Sequence, residues 1–151
     1  MLYGDEGERE TPKHYLVMEI LKAIIEKAEN NYSAYFEGLD GVVSAGDTLE
    51  EIKANLSEAL DVYIETSKEK GCEIPEFLKG EYEIQFSMDV KSLLTYYAGI
   101  FTKAGLERLT GINQKQLWHY AKGKSVPRRA QVERIENALH RLGAELLSVS
   151  L

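Results

Sequence analysis

Thr102–Leu139, TKAGLERLTGINQKQLWHYAKGKSVPRRAQVERIENAL, constrains this chain more than any other stretch. A short amphipathic pattern over Lys103–Leu109 runs into Thr110-Gly111-Ile112. Asn113 then opens a second pattern, Gln114 to Lys122, because an Asn side chain accepts a free backbone N–H of the first turn. Gly123 ends it, since glycine takes the left-handed conformation at little cost. Two short helices joined by a glycine-containing turn make a helix-turn-helix unit, the shape that enters the major groove of DNA.

In the second of these helices Gln114, Lys115, Trp118 and His119 share one face, and Leu117, Tyr120 and Ala121 share the other. The first set carries base-reading chemistry. Gln bonds an adenine edge, Lys bonds guanine acceptors, and an aromatic ring touches a thymine methyl. Lys103, Lys122, Lys124, Arg128 and Arg129 flank this face as phosphate contacts. The plainer reading is a helical bundle with a solvated polar face. One departure from the usual pattern is Glu107, where many such units carry a small residue.

Charge supports the nucleic-acid reading. Residues 1–89 hold 8 Lys and Arg against 21 Asp and Glu, a net of −13. Residues 90–151 hold 10 against 4, a net of +6, so an acidic chain contains a basic C-terminal half. No apolar run approaches the roughly 20 residues that span a bilayer. The start, MLYGDEGERE, is unlike a signal peptide. Cys72 is the one cysteine and allows no internal disulfide. These features predict a cytoplasmic protein with no membrane attachment, no cofactor and no metal; His14, His119 and His140 are scattered.

Residues 1–17 read as an N-terminal extension. Residues 18–27 fit either a helical stripe (Leu16, Ile20, Ile24) or a strand. Tyr32–Glu37 and Gly41–Ala45 predict strands, with Gly38 and Gly41 bracketing the turn between them. Thr48-x-x-Glu51 is a capping-box pattern, opening a helix with Ile52, Leu56, Leu60 and Ile64 on one face and Gly71 at its end. Residues 72–80 read as a loop, and Tyr82–Met88 alternates as a fourth strand. Asp89 caps a helix carrying Leu93, Leu94, Tyr97 and Ile100. After Pro127 a last helix carries Val132, Ile135, Leu139 and Leu142, with Gly143 as a cap and an apolar, β-prone tail, Leu146–Leu151. That tail and the helix before it predict the seam of a homodimer or higher oligomer.

Catalytic chemistry finds no constellation. Glu37, Asp40, Asp47, Glu50 and Glu51 could be drawn as a metal-dependent nuclease site. Asp47, Glu50 and Glu51 are accounted for by the helix start, where the dipole favours negative charge. Asp40 sits in a glycine-bounded turn. Cys72 lies beside acidic residues that would not lower its pKa. Tyr32, Tyr35 and Phe36 read as sheet residues, or else one face of that sheet holds a partner.

Taken together, NYSAYFEGLDGVVSAGDTLEEIKANLSEAL, the segment from LKGEYEIQFSMDV to WHYAKG, and VPRRAQVERIENALHRLGAELLSVSL resemble a HicB family antitoxin of the longer subgroup with a C-terminal helix-turn-helix. The resemblance covers about residues 18–151. It implies an α+β chain: a partial ribonuclease-H-like βββαβ toxin-binding domain over 18–89, then an all-α DNA-binding and dimerisation domain over 90–151. It implies that residues 18–27 are a strand. It also implies a non-enzymatic antitoxin that blocks a HicA-type, messenger-RNA-cleaving toxin and represses its own operon by binding operator DNA. The alternative is a stand-alone helix-turn-helix regulator whose N-terminal domain senses a ligand or dimerises.

Overall fold

Period-two alternation builds the first half of the chain. The computed structural model describes residues 18–151, so the predicted extension 1–17 lies outside the described residues. The strands are β1 (Glu19–Lys27), β2 (Tyr32–Phe36), β3 (Leu39–Gly46) and β4 (Tyr82–Met88). They form one sheet in the order β3-β2-β1-β4. β1 pairs antiparallel with β2 and parallel with β4, and β2 pairs antiparallel with β3. A parallel pair needs a crossover, and helix α1 (Leu49–Glu69) supplies it between β3 and β4. The βββαβ order and the α+β class are therefore those predicted.

The ambiguity over residues 18–27 resolves to strand. Leu21, Ala23 and Ile25 alternate as buried on one side, while Ile20, which the helical stripe would have packed, is exposed. Strands on both sides satisfy the backbone, which a lone helix segment there would not have required. β3 begins at Leu39, two residues before the expected Gly41. Its register shifts between Tyr35 and Phe36, and Gly41 lies inside it with a left-handed φ of 84°.

α1 covers the Leu21–Ala23–Ile25 side with Ile52, Leu56 and Leu60, all buried against Phe36 and Val42. Its start follows the capping pattern with one difference. Thr48 Oγ1 accepts from Glu51 N at 3.1 Å, but Glu51 Oε2 accepts from Asp47 N at 2.9 Å rather than from Thr48 N. The sheet and helix approach closely at Gly46. A Cβ there would stand 3.0 Å from Ile52 Cγ1 and 3.2 Å from Ile52 N. Backbone cannot give way as a side chain would, so Gly46→Ala is expected to lose about 1–3 kcal/mol, read from the midpoint of a urea titration.

The second half is helical: α2 (Val90–Tyr96), α3 (Lys103–Thr110), α4 (Gln114–Ala121) and α5 (Arg129–Leu147). Each of the first three starts at a side-chain cap. Asp89 accepts from Ser92 N, Thr102 from Gly105 N, and Asn113 from Lys115 N. Leu94, Leu106, Ile112, Leu117, Tyr120 and Ile135 form a second core.

α2 serves both cores. Val90 and Leu94, four apart, face the second. Ser92 and Tyr96, also four apart, face the first. Ser92 Oγ accepts from Lys27 N at 2.9 Å, and Tyr96 Oη accepts from Leu49 N at 2.9 Å. The Tyr96 ring meets Tyr32 edge-on at 5.1 Å.

Three helical expectations need correction. α2 stops at Tyr96, and Ile100, expected on its apolar face, is 73% exposed. Phe101 takes the core position instead, because the turn after α2 folds back through bonds from Ile100 N and Phe101 N to Tyr97 O. Gly143 does not cap α5 but lies within it. A mid-helix glycine costs only about 1 kcal/mol, too little to stop a long helix. The β-prone tail begins as helix: Leu146 and Leu147 finish α5, and both are exposed, as are Val149 and Leu151.

Candidate functional site

Two surfaces stand out, one on α4 and one on the sheet. On α4, Leu117 and Tyr120 are buried and Ala121 packs against them, so the helix is oriented by its apolar side. Gln114 and Lys115 are exposed and Trp118 and His119 half-exposed on the other side, as the periodicity requires. The turn before α4 is fixed by Gly111, whose φ of 70° is left-handed, and by Thr110, whose hydroxyl accepts from Ile112 N at 3.1 Å.

Glu107 occupies the place noted as a departure. It spans the turn, accepting from Gln114 Nε2 at 2.9 Å. One amide hydrogen of Gln114 is thereby committed. Its second hydrogen and its carbonyl oxygen stay free, enough for a two-point contact. Trp118 carries Lys124 Nζ over its ring at 4.1 Å, and its ring lies 5.4 Å from that of His119. Trp118 therefore holds a cation as well as presenting an apolar edge.

The flanking cations divide into groups. Lys103 and Lys122 line one cleft of about 220 Å³ with Leu94, Phe101 and Leu117. Lys124 sits on Trp118. Arg128 and Arg129 stand at the start of α5, and Arg129 Nε is paired with Glu133 at 2.8 Å. Both partners are well exposed, so this pair is weak and yields readily to another anion. Sequence reading missed two further cations. Arg134 reaches the α3–α4 turn, where a Cβ on Gly111 would lie 3.6 Å from its guanidinium. Lys91 reaches Gly123 at the end of α4. Neither position has a local signal, because each comes from another helix, α5 for Arg134 and α2 for Lys91.

The sheet has one side covered by α1 and one side open. Tyr35 lies on the open side and its hydroxyl donates to Glu26 Oε1 at 3.2 Å. Desolvation first, then the Glu26 and Glu37 charges and the bond to Glu26, raise the Tyr35 pKa above its ordinary value. Of the carboxylates considered for nuclease chemistry, Glu51 is bound to the helix start, and Glu37 pairs with Lys22 at 3.5 Å. Among the described residues no three His, Cys, Asp or Glu side chains come together as a metal site. No helix of the described residues is long and apolar enough to cross a membrane.

Comparison with known proteins meets this geometry at the sheet. A family model described as HicB_like antitoxin of bacterial toxin-antitoxin system matches residues 21–88, from within β1 to the last residue of β4. A UPF0150 protein of Helicobacter pylori is 42% identical over 45 residues, which is 30% of this chain and 62% of that protein. The match thus spans less than two thirds of that relative's length. No solved structure matches the chain. The matched segment takes in most of β1, the other three strands and the α1 crossover, and over residues 21–88 the chain is similar to the HicB-like antitoxin domain of bacterial toxin–antitoxin systems.

Proposed function

We propose that the chain is a two-part antitoxin: the sheet domain neutralises a HicA-type toxin, and the helical half binds operator DNA and represses the operon. One observation supports this most. An acidic antitoxin domain is followed by a basic pair of helices whose exposed face bears Gln114, Lys115, Trp118 and His119. Those four side chains would read bases, while Lys103, Lys122, Lys124, Arg128 and Arg129 would meet phosphates. The protein would act in the cytoplasm without catalysing a reaction. It would act as a homodimer or higher assembly, since one such helix pair covers only a half-site. The exposed Leu146, Leu147 and Val149 at the end of α5 would form the seam. The domain division 18–89 and 90–151 follows the same reading, with α2 as a shared strut.

A gel-shift titration with the DNA upstream of its own operon tests it. Gln114→Ala/Lys115→Ala is expected to weaken specific binding by about 1–3 kcal/mol and spare binding to unrelated duplex. Unchanged operator affinity in that variant would remove α4 as the reading helix.

A further inference from the structure

We infer that the sheet face turned away from α1 is the surface on which the toxin docks, and that this toxin presents a basic rim around an apolar centre. The inference rests on the antitoxin reading above and locates its interface. Strand register places Val43, Tyr35, Ile24 and Ser87 side by side across all four strands on that face. Val43 is 68% exposed and Tyr35 36%, and Ile20, further along β1, is 63% exposed. No described helix lies over the Val43, Tyr35 and Ile24 part of this row; at its β4 end Ser87 faces α5 across a cleft. α1 lies on the opposite face. The exposed Ile20, Tyr35 and Val43 on a rigid, hydrogen-bonded sheet are costly to leave in water and mark an interaction surface. Tyr35 is its natural anchor, held in place by the bond to Glu26.

The rim states the partner's chemistry. Glu26, Glu37 and Glu83 surround the row, and the one cation among them, Lys22, is already paired with Glu37. Nucleic acid would be repelled by these carboxylates and would find no cationic groove. A second copy of this face would bring like charges together. A protein with basic groups placed around an apolar centre satisfies both features. The face ends at β4 against α5, where Lys22, Gln85 and Ser87 oppose Glu136 and His140 across a cleft of about 370 Å³.

Full-length variants titrated calorimetrically with the toxin encoded beside this chain test the placement, with growth rescue on co-expression as a second readout. Val43→Glu is expected to lower affinity on the order of 100-fold and Tyr35→Ala about 10-fold, with melting temperatures near wild type. Glu26→Lys should slow association more than it speeds dissociation. Val62→Glu, on the exposed side of α1, should change affinity less than about 3-fold. Should Val43→Glu fail to fold, Ile20→Glu probes the same face. Wild-type affinity in the open-face variants, or an equal loss in Val62→Glu, overturns the placement while the antitoxin reading stands. A wild-type chain that binds no toxin overturns that reading itself.

Discussion

A fragment ending at residue 89 is expected to melt on the order of 10–20 °C below one ending at residue 98, although both contain the whole matched antitoxin segment. The reason lies in α2. Cutting at 89 removes Ser92 and Tyr96, which satisfy Lys27 N and Leu49 N, and bares the Tyr32 ring. Two partly buried N–H groups left without partners cost about 1 kcal/mol each, and the lost aromatic pair adds about 1 kcal/mol. Near 3 kcal/mol in a domain of this size corresponds to roughly 4–8 °C for each kcal/mol. Far-ultraviolet circular dichroism of the two fragments measures it directly. Equal melting temperatures would mean that α2 contributes nothing to the sheet domain. Within the full chain, Tyr96→Phe isolates the hydroxyl's part, expected at about 1 kcal/mol.

Leu117→Ala is expected to cost about 2–5 kcal/mol and to abolish operator binding. Leu117 is 1% exposed and fixes the buried side of α4. Removing it opens a cavity beneath the face that bears Gln114, Lys115, Trp118 and His119, so the helix loses its orientation while every proposed contact residue is still present. Denaturant titration of the variant, paired with gel shift at a temperature where it is still folded, separates the two effects. Full operator affinity in the folded variant would show that the face does not depend on this packing. The contrast with Gln114→Ala/Lys115→Ala is the useful one: that pair is exposed, so its loss should leave stability nearly unchanged.

Local chemistry made much of this fold legible. The caps at Thr48, Asp89 and Asn113 act over two or three residues, and the structure uses all three side chains. Gly71, Gly111 and Gly123 take left-handed φ at the helix ends read from the sequence. The alternation of Tyr82–Met88 and the stripe of Ile52, Leu56 and Leu60 predicted which sides are packed. Burial of Leu117 and Tyr120 followed from the same period. The proposed base-reading residues were found as the complement of that buried side, not by any signal of their own.

What the sequence by itself determined is therefore whatever a residue settles with its neighbours up to four positions away: caps, turns, the apolar side of each long element, and the acidic and basic halves. Tertiary structure decided the rest. Residues 18–27 had both periods, and only strand partners on each side chose one. α2 carries two opposed faces; contacts spanning 65 and 47 residues tie one to the sheet core, and Val90 and Leu94 pack the other into the helical core. The open face of the sheet exists because the crossover laid α1 on the other side. Arg134 and Lys91 reach the turns at the two ends of α4 from α5 and α2. Each of these depends on pairing free energy between segments far apart in the chain, which a local pattern does not encode.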